Sequence, residues 1–418
     1  MGKVVKLVMV TSENNNKFYH MTDNENGTFT VVYGRVQGGK PAEKTYPIRE
    51  WEKTYRAKTK KGYKDVTTLF IESIGATATD VKTGKKKTIT QIANAKIKLF
   101  FDRLQAFAKK TVEENYTISQ SDVTQQQVDA AQGIINTISA GLSTLTVNDI
   151  NNLFLELYSI IPRKMKHVSY HLLPKDFDLK DTKNKTLFDM MDKEQKLLDT
   201  MAGQVEMLKK QKLAENGGEE DDADEKVDTL KMLGLEMVEI TDAEVQKIKS
   251  LMGPNAKQFV RAFGVKNIQT EERFIKQVDS AKNKKIQTFW HGSRNENWLN
   301  ILQTGLLIRP SGAVYSGSMF GDGIYGADKA QKSIGYTSLS GSYWARGSAA
   351  TAFLALFDFH VGNQKHVTRS NYGLNKKNLA ADGFDSVFAE GGADLRNNEY
   401  IIYDISQATI RYIIEISN

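Results

Sequence analysis

Gln287-Thr288-Phe289-Trp290-His291-Gly292-Ser293 decides how this 418-residue chain reads. An apolar run ends in an imidazole followed by two small residues, so the pattern predicts a strand that presents His291 at its end, a common place for ligands. Downstream, a glycine-rich stretch from Gly305 to Gly326 brackets Tyr325 with Gly321, Gly323 and Gly326, and bare Cα atoms there permit close backbone approach to a ligand. The chain finishes with Tyr400-Ile401-Ile402-Tyr403-Asp404 and Ile410-Arg411-Tyr412-Ile413-Ile414-Glu415-Ile416, which read as buried strands, with Glu399 at the lip of the first. From about 228 onward strands and helices mix, which predicts an α+β domain. Gly321-Asp322-Gly323-Ile324-Tyr325-Gly326 offers a G-x-G-x-x-G pattern, but no strand precedes it and no βαβ unit surrounds it. A dinucleotide-fold reading is rejected.

Upstream the character changes. Ile97, Phe100, Phe101, Leu104 and Phe107 recur at helical spacing, as do Val128, Ala131, Ile134, Ile135 and Ile138 behind Thr124 as a plausible N-cap. Leu153, Leu157 and Ile160 make a third stripe that stops at Pro162, and a fourth runs from Leu187 to Leu208. Four amphipathic helices without strands between them predict a bundle. Residues 1–70 read instead as a small β-rich module with one helix. Phe18–Thr22 and Phe29–Tyr33 flank Asn26-Gly27, a hairpin cue because both residues tolerate positive φ. A helix from Ile48 carries Trp51 and Tyr55 one turn apart.

Composition bounds the function. Hydrophobic, charged and aromatic shares of 40%, 26% and 9% exclude wholesale disorder, collagen-like repetition and a membrane bundle. Zero cysteines exclude disulfides, a thiol nucleophile and a thiolate zinc site, and six scattered histidines argue against an imidazole metal centre. The first ten residues are apolar but interrupted by Lys6 and too short to span a bilayer, so they read as a strand with no membrane partner. The expectation is a soluble, intracellular protein. Charge is uneven: residues 1–70 hold 13 Lys/Arg against 7 Asp/Glu, nearly all of the net +7. Its densest part, Tyr55 to Lys64, mixes tyrosines with cations, which suits a phosphate backbone or a solvated lysine-rich face. At the other extreme, Glu215 to Glu225 packs seven carboxylates into eleven residues and reads as a linker.

Taken together, Trp290-His291-Gly292-Ser293-Arg294, then Gly321 to Asp328 continuing to Lys332-Ser333 and Tyr336, then Asn398-Glu399-Tyr400-Ile401-Ile402-Tyr403-Asp404, resemble the catalytic domain of poly(ADP-ribose) polymerases. Tyr33-Gly34-Arg35 with Gly62 to Val66 looks like that family's WGR module, with Tyr33 in place of the usual Trp. Ser121–Ile138 and Leu157–Pro162 look like its helical regulatory domain. The resemblance implies an α+β multidomain chain: a WGR-like DNA-binding module over 1–75, a basic linker over 76–89, an all-α regulatory domain over 90–212, an acidic linker over 213–227 and an ADP-ribosyltransferase domain over 228–418.

It also implies chemistry. NAD+ is the expected co-substrate, with no metal, and the bond between nicotinamide and its ribose breaks through an oxocarbenium-like transition state. Glu399 would hold the nicotinamide-ribose 2′-hydroxyl and act as general base. His291 would bind the adenosine ribose. Gly292 and Ser333 would hold the carboxamide, beside Ser293, while Tyr336 stacks on the nicotinamide ring and Tyr325 closes its opposite side. Lys332 and Met319 would lie toward the acceptor. The His291, Tyr325 and Glu399 set implies polymer synthesis on protein acceptors, the enzyme itself included. Departures from the family pattern fall around acceptor binding: Ser318 before Met319-Phe320, Leu307 where Arg is common (with Arg309 nearby), Asn397, and a short span from Gly362 to Glu399.

Regulation follows by the same resemblance. DNA with strand breaks, as nicks or 5′-phosphorylated ends, would bind through Arg35, Lys60, Lys61 and Lys64 and relieve a helical domain that covers the NAD+ cleft at rest. The setting would be nuclear in a eukaryote, and cytoplasmic or nucleoid in a prokaryotic or viral one. Two alternatives stand beside this: transfer of single ADP-ribose units, and a DNA-end-binding adaptor with a vestigial transferase domain.

Overall fold

The computed structural model describes residues 2–37, 40–70, 87–116, 123–181, 186–216, 225–308 and 319–418. The chain divides into two compact units, residues 1–82 with 110–208, and residues 83–109 with 209–418.

In the first unit, β1 (Val4–Thr11), β2 (Asn15–Asp23), β3 (Thr28–Arg35) and β4 (Ala42–Pro47) form an antiparallel meander, followed by α1 (Trp51–Lys60). Strand β5 (Lys64–Asp65) returns beside β1, so the sheet order is β4-β3-β2-β1-β5. Gly27 closes the expected hairpin at φ 81°, but Glu25 is left-handed too, so the turn is longer than a two-residue loop. Both faces of β1 are buried. Val5 and Leu7 pack with Tyr19, Met21, Phe29, Val31 and Trp51, while Val8 and Val10 join the core of the helices.

A short strand, β6 (Lys87–Thr90), precedes α2 (Ala95–Asn115). Then α3 (Gln125–Ala140) and α4 (Val147–Ile160) start at Thr124 and Thr146, each closed by a capping box that satisfies two otherwise orphaned N–H groups. The long α5 (Thr186–Asn216) follows. Inside the helical core, the guanidinium of Arg163 and the carboxylate of Glu194 form an ion pair, both nearly sealed from solvent and flanked by Tyr116 and Tyr158.

The second unit is the α+β part. After β7 (Glu225–Asp228) and a single helical turn, α6 (Thr229–Met232), come β8 (Leu235–Glu239), α7 (Asp242–Met252), β9 (Phe259–Asn267), α8 (Ile268–Ser280), β10 (Ile286–Gly292) and α9 (Trp298–Thr304). The remainder is β11 (Ile324–Gly326), α10 (Ala330–Ile334), β12 (Thr351–His360), β13 (Gln364–Val367), α11 (Lys376–Ala381), β14 (Ser386–Ala389), β15 (Glu399–Ile402) and β16 (Ala408–Ser417). One sheet runs β10-β12-β16-β9-β8 and a second runs β11-β15-β14-β13. Strand β12 is buried along nearly its whole length, which is why Thr351–His360 carries so few polar residues. The rejected dinucleotide pattern is now explained: Ile324–Gly326 is itself a strand, not the turn between a strand and a helix.

Three features depart from the pattern the sequence suggested. The stretch 90–212 is shared between the two compact units, with Ala95–Lys109 of α2 in the second. Phe100 packs on Phe263 and Phe353 at 4.9 and 5.3 Å, and Arg103 reaches the buried Glu415 at 2.6 Å. Helical periodicity identifies an apolar face without saying which core it enters. Secondly, the segments read as linkers end in regular structure: β6 pairs in parallel with β7, although residues 71–86 and 217–224 lie outside the described residues. Thirdly, Glu399 opens β15, at the strand lip expected for it, but is only 7% exposed.

Candidate active site

The site is assembled where the two larger sheets of the second unit meet. Trp290 on β10 and Ala327 just after β11 exchange backbone hydrogen bonds at 2.8 and 3.0 Å, stitching one sheet to the other. That stitch brings His291 against β11, where its Nδ1–H donates to the Tyr325 carbonyl at 3.1 Å. The tautomer follows from the partner, since a carbonyl can only accept, and leaves Nε2 as an acceptor. Burial holds the imidazole pKa below its ordinary value, outweighing the hydrogen bond that favours the cation.

Strand β11 pairs antiparallel with β15, Tyr325 opposite Ile401 and Gly326 opposite Tyr400, which sets Glu399 one residue beyond the pair. Tyr400 fills the seam, its ring stacked 4.1 Å from Phe289 and 5.0 Å from Phe388. The Glu399 carboxylate forms an ion pair with the Lys332 ammonium, and both side chains are largely buried. Desolvation pushes the Glu399 pKa up, and Lys332 pulls part of the way back. Asn398 beside it is fixed from two sides, donating to Asp328 at 2.8 Å and accepting from the Gly391 N–H at 2.9 Å.

Lys332 and Ser333 sit on α10, and α10 is pressed against the end of β10. A Cβ on Gly292 would stand 1.9 Å from the Ser333 carbonyl oxygen, so only glycine fits there. The same carbonyl accepts the Tyr336 N–H at 3.1 Å. Ser333 is buried, whereas Tyr336 keeps 42% of its surface exposed; burial and then the nearby Glu399 charge push its phenol up to about 12. Ser293 accepts from the Asn297 amide at 2.9 Å.

Tyr325 turns its ring into the cluster of Phe320, Leu374 and Tyr403, and its hydroxyl is committed: it donates to the Gly321 carbonyl at 2.8 Å and accepts from the Phe320 N–H at 3.1 Å. Met319 packs on the same cluster, and its carbonyl accepts from the Asn371 N–H. His291, Gly292, Ser293, Tyr325, Lys332, Ser333, Tyr336 and Glu399 therefore gather around one seam, with Met319 reached through Tyr325. Leu307 is half-buried outside regular structure, and Ser318 and Arg309 lie outside the described residues.

This arrangement can be set against known proteins. A family model described as the poly(ADP-ribose) polymerase catalytic domain matches residues 241–389. The chain is 34% identical over 164 residues to "Putative poly [ADP-ribose] polymerase-like 100L" of Invertebrate iridescent virus 6, covering 38% of this chain and 85% of that protein. The chain belongs to the poly(ADP-ribose) polymerase family. It is 36% identical over 177 residues to "Uncharacterized protein 101L" of the same virus, covering 42% of this chain and 70% of that one. Against chicken poly [ADP-ribose] polymerase 1 the identity is 25% over 374 residues, 80% of this chain and 34% of the longer protein. As a member of the family the protein is an NAD+ ADP-ribosyltransferase. The family match stops ten residues short of Glu399, and that carboxylate is joined to the matched residues by strand pairing and by Lys332.

The residues expected to contact DNA lie in the other unit, and all are exposed: Arg35 ends β3, Lys60 ends α1, Lys61 follows it, and Lys64 is in β5. Arg35 pairs across the sheet with Lys17, two cations directly opposite, and donates to the Asn14 carbonyl at 2.9 Å. Lys58, which sequence reading did not single out, lies 3.8 Å over the Tyr19 ring. Tyr33 packs beside Tyr19 at 5.6 Å. Among the described residues no cluster of three His, Asp or Glu side chains is arranged to hold a metal ion, and no helix is long and apolar enough to cross a membrane. Sequence reasoning also passed over Tyr343 and Trp344, whose only signal is two large aromatics in an otherwise polar loop.

Proposed function

We propose that this transferase passes ADP-ribose from NAD+ to protein acceptors, itself included, and elongates the product into poly(ADP-ribose). The observation that carries the reading is the Glu399 carboxylate, buried at the first residue of β15 and paired with Lys332. Enclosing an ion pair costs several kcal/mol of desolvation per ion (about that order), so pairing alone is a poor structural reason for it. A carboxylate with a raised pKa is, however, a stronger base than an exposed one. In this reading Glu399 orients the nicotinamide-ribose 2′-hydroxyl and accepts the proton of the incoming hydroxyl. His291, neutral and fixed through Nδ1, offers Nε2 to the adenosine ribose. Gly292, Ser293 and Ser333 hold the carboxamide end, Tyr336 stacks on the nicotinamide ring and Tyr325 faces it from the opposite side. Much of the acceleration comes from holding the reacting carbon in place.

Broken DNA is the proposed regulator. Nicks or 5′-phosphorylated ends bind the WGR-like module through Arg35, Lys60, Lys61 and Lys64, supported by the Lys17 and Arg35 pairing and by Lys58 over Tyr19. The energy for activation is the tighter binding of DNA to the active state than to the resting one. Such a protein works at DNA damage, in the nucleus of a eukaryote or in the cytoplasm or nucleoid of a prokaryotic or viral setting.

Labelled NAD+ and purified protein, with and without nicked duplex, test all of this. A ladder supports polymerisation, a single band means transfer of one unit, and no label leaves a DNA-end adaptor. Equal rates with and without DNA dismiss the switch. Glu399→Gln should abolish the ladder while sparing NAD+ affinity.

A further inference from the structure

The loop after Tyr336 holds an indole in solvent on a backbone that is fixed at many points. Trp344 is 61% exposed and Tyr343 is 75% exposed, whereas Trp51, Trp290 and Trp298 are all buried. The N–H groups of Trp344 and Ala345 both donate to the Gly335 carbonyl, at 2.9 and 3.0 Å. Arg294, three residues beyond His291, donates to the Ala345 carbonyl at 2.8 Å. The Ser342 hydroxyl donates to the Thr337 carbonyl and accepts from the Gly347 N–H, each at 2.8 Å. A flexible surface aromatic needs no such clamps.

The clamps aim the ring. The indole lies over Gly335, where a Cβ would stand 3.1 Å from its Cδ1. It runs nearly parallel to Tyr336, with centroids 6.1 Å apart and planes 18° apart, and Tyr343 buttresses it edge-on at 4.7 Å. Tyr336 is half-exposed, no hydrogen bond holds its hydroxyl among the described contacts, and the indole is the aromatic ring stacked beside it.

We infer that Trp344 is a positioning residue: it holds the Tyr336 ring in the plane on which nicotinamide stacks, and so sets the affinity for that end of NAD+. This rests on the stacking role proposed for Tyr336. Offset and parallel aromatic pairs are sensitive to plane and separation, which is what a rigid neighbour supplies.

Benzamide, an uncharged analogue of nicotinamide, is the probe. Trp344→Ala should raise the KM for NAD+ and the Ki for benzamide by about three- to tenfold, the range of one aromatic pair, while kcat changes by less than about twofold. Trp344→Phe, which keeps a ring, should restore both constants to within about twofold. Because Trp344 is the one exposed indole of the four, acrylamide quenching reads it directly: benzamide should protect wild-type fluorescence, and the quenchable component should be missing in Trp344→Phe. Wild-type KM and Ki in Trp344→Ala overturn the inference and leave the transferase reading standing. If Tyr336→Ala also keeps both constants, the pocket assignment beneath it falls as well. An equal loss in KM and kcat with a lowered melting temperature assigns Trp344 to the loop's stability and overturns the inference too.

Discussion

Gly292→Ala puts the geometry of the site to a direct test. The added methyl would meet the Ser333 carbonyl oxygen at 1.9 Å, its carbonyl carbon at 2.7 Å and its Cα at 3.3 Å. Restoring ordinary van der Waals separation requires a displacement of about 1.5 Å. Strand β10 cannot supply it easily, because Gly292 pairs with Leu354 and Trp290 is bonded twice to Ala327. Helix α10 must move, carrying Lys332 away from Glu399 and Tyr336 with it. Gly292 is not among the glycines with left-handed φ, so the strain arises from contact alone. Overpacking of this kind costs about 1–3 kcal/mol of stability, and a misplacement near 1 Å lowers turnover about a hundredfold. Steady-state NAD+ consumption and a thermal melt measure both. A Gly292→Ala enzyme within about threefold of wild type in kcat/KM would refute the close contact as an organiser of the site.

Other consequences are as specific. Lys332→Met removes the cation that pulls the Glu399 pKa down, so the acid limb of the pH–rate profile should move to higher pH, whatever happens to the plateau. Arg103→Met leaves the buried Glu415 with Arg261 as its remaining cation and should lower stability by about 1–3 kcal/mol in a denaturant titration, less than the loss of a sole partner. His20 is lowered to about 4 by burial and the adjacent Lys6, so the folded state resists a proton that the unfolded chain accepts near its ordinary value. Stability should therefore fall as pH drops from about 6.5 toward 4, by up to about 1.4 kcal/mol per pH unit, and His20→Gln should flatten that slope in melts across the range.

The elements themselves were legible because their signals are local. Thr124 reads as a cap since its side chain has one partner three residues on, and Pro162 stops a stripe because it cannot continue one. The strand before His291 and the two closing strands were equally plain. What could not be read was partnership across distance. Nothing in Phe100 or Arg103 announces that half of a helix packs on a sheet formed 150 residues and more downstream, and nothing in Lys87–Thr90 announces β7 as its partner. The candidate site was legible as a set of residues but not as an electrostatic arrangement. A glutamate at the start of an apolar strand looks exposed until α10 covers it, and a glycine after a histidine looks like a turn until Ser333 is found against it.

That covering helix resolves a conflict in what the site asks of Glu399. A carboxylate in water is ionised at neutral pH but a feeble base, and a carboxylate buried alone is basic but neutral. Burial by β14, β15 and α10 raises the proton affinity of Glu399, and Lys332 from the same helix keeps the charged form accessible. The balance remains on the raised side, which suits the general-base role proposed for Glu399. Burial, and after it the Glu399 charge, drives the Tyr336 phenol up to about 12 as well. Burial thus raises the proton affinity of Glu399 and of the Tyr336 phenol together. Both depend on α10 lying where Gly292 allows it to lie.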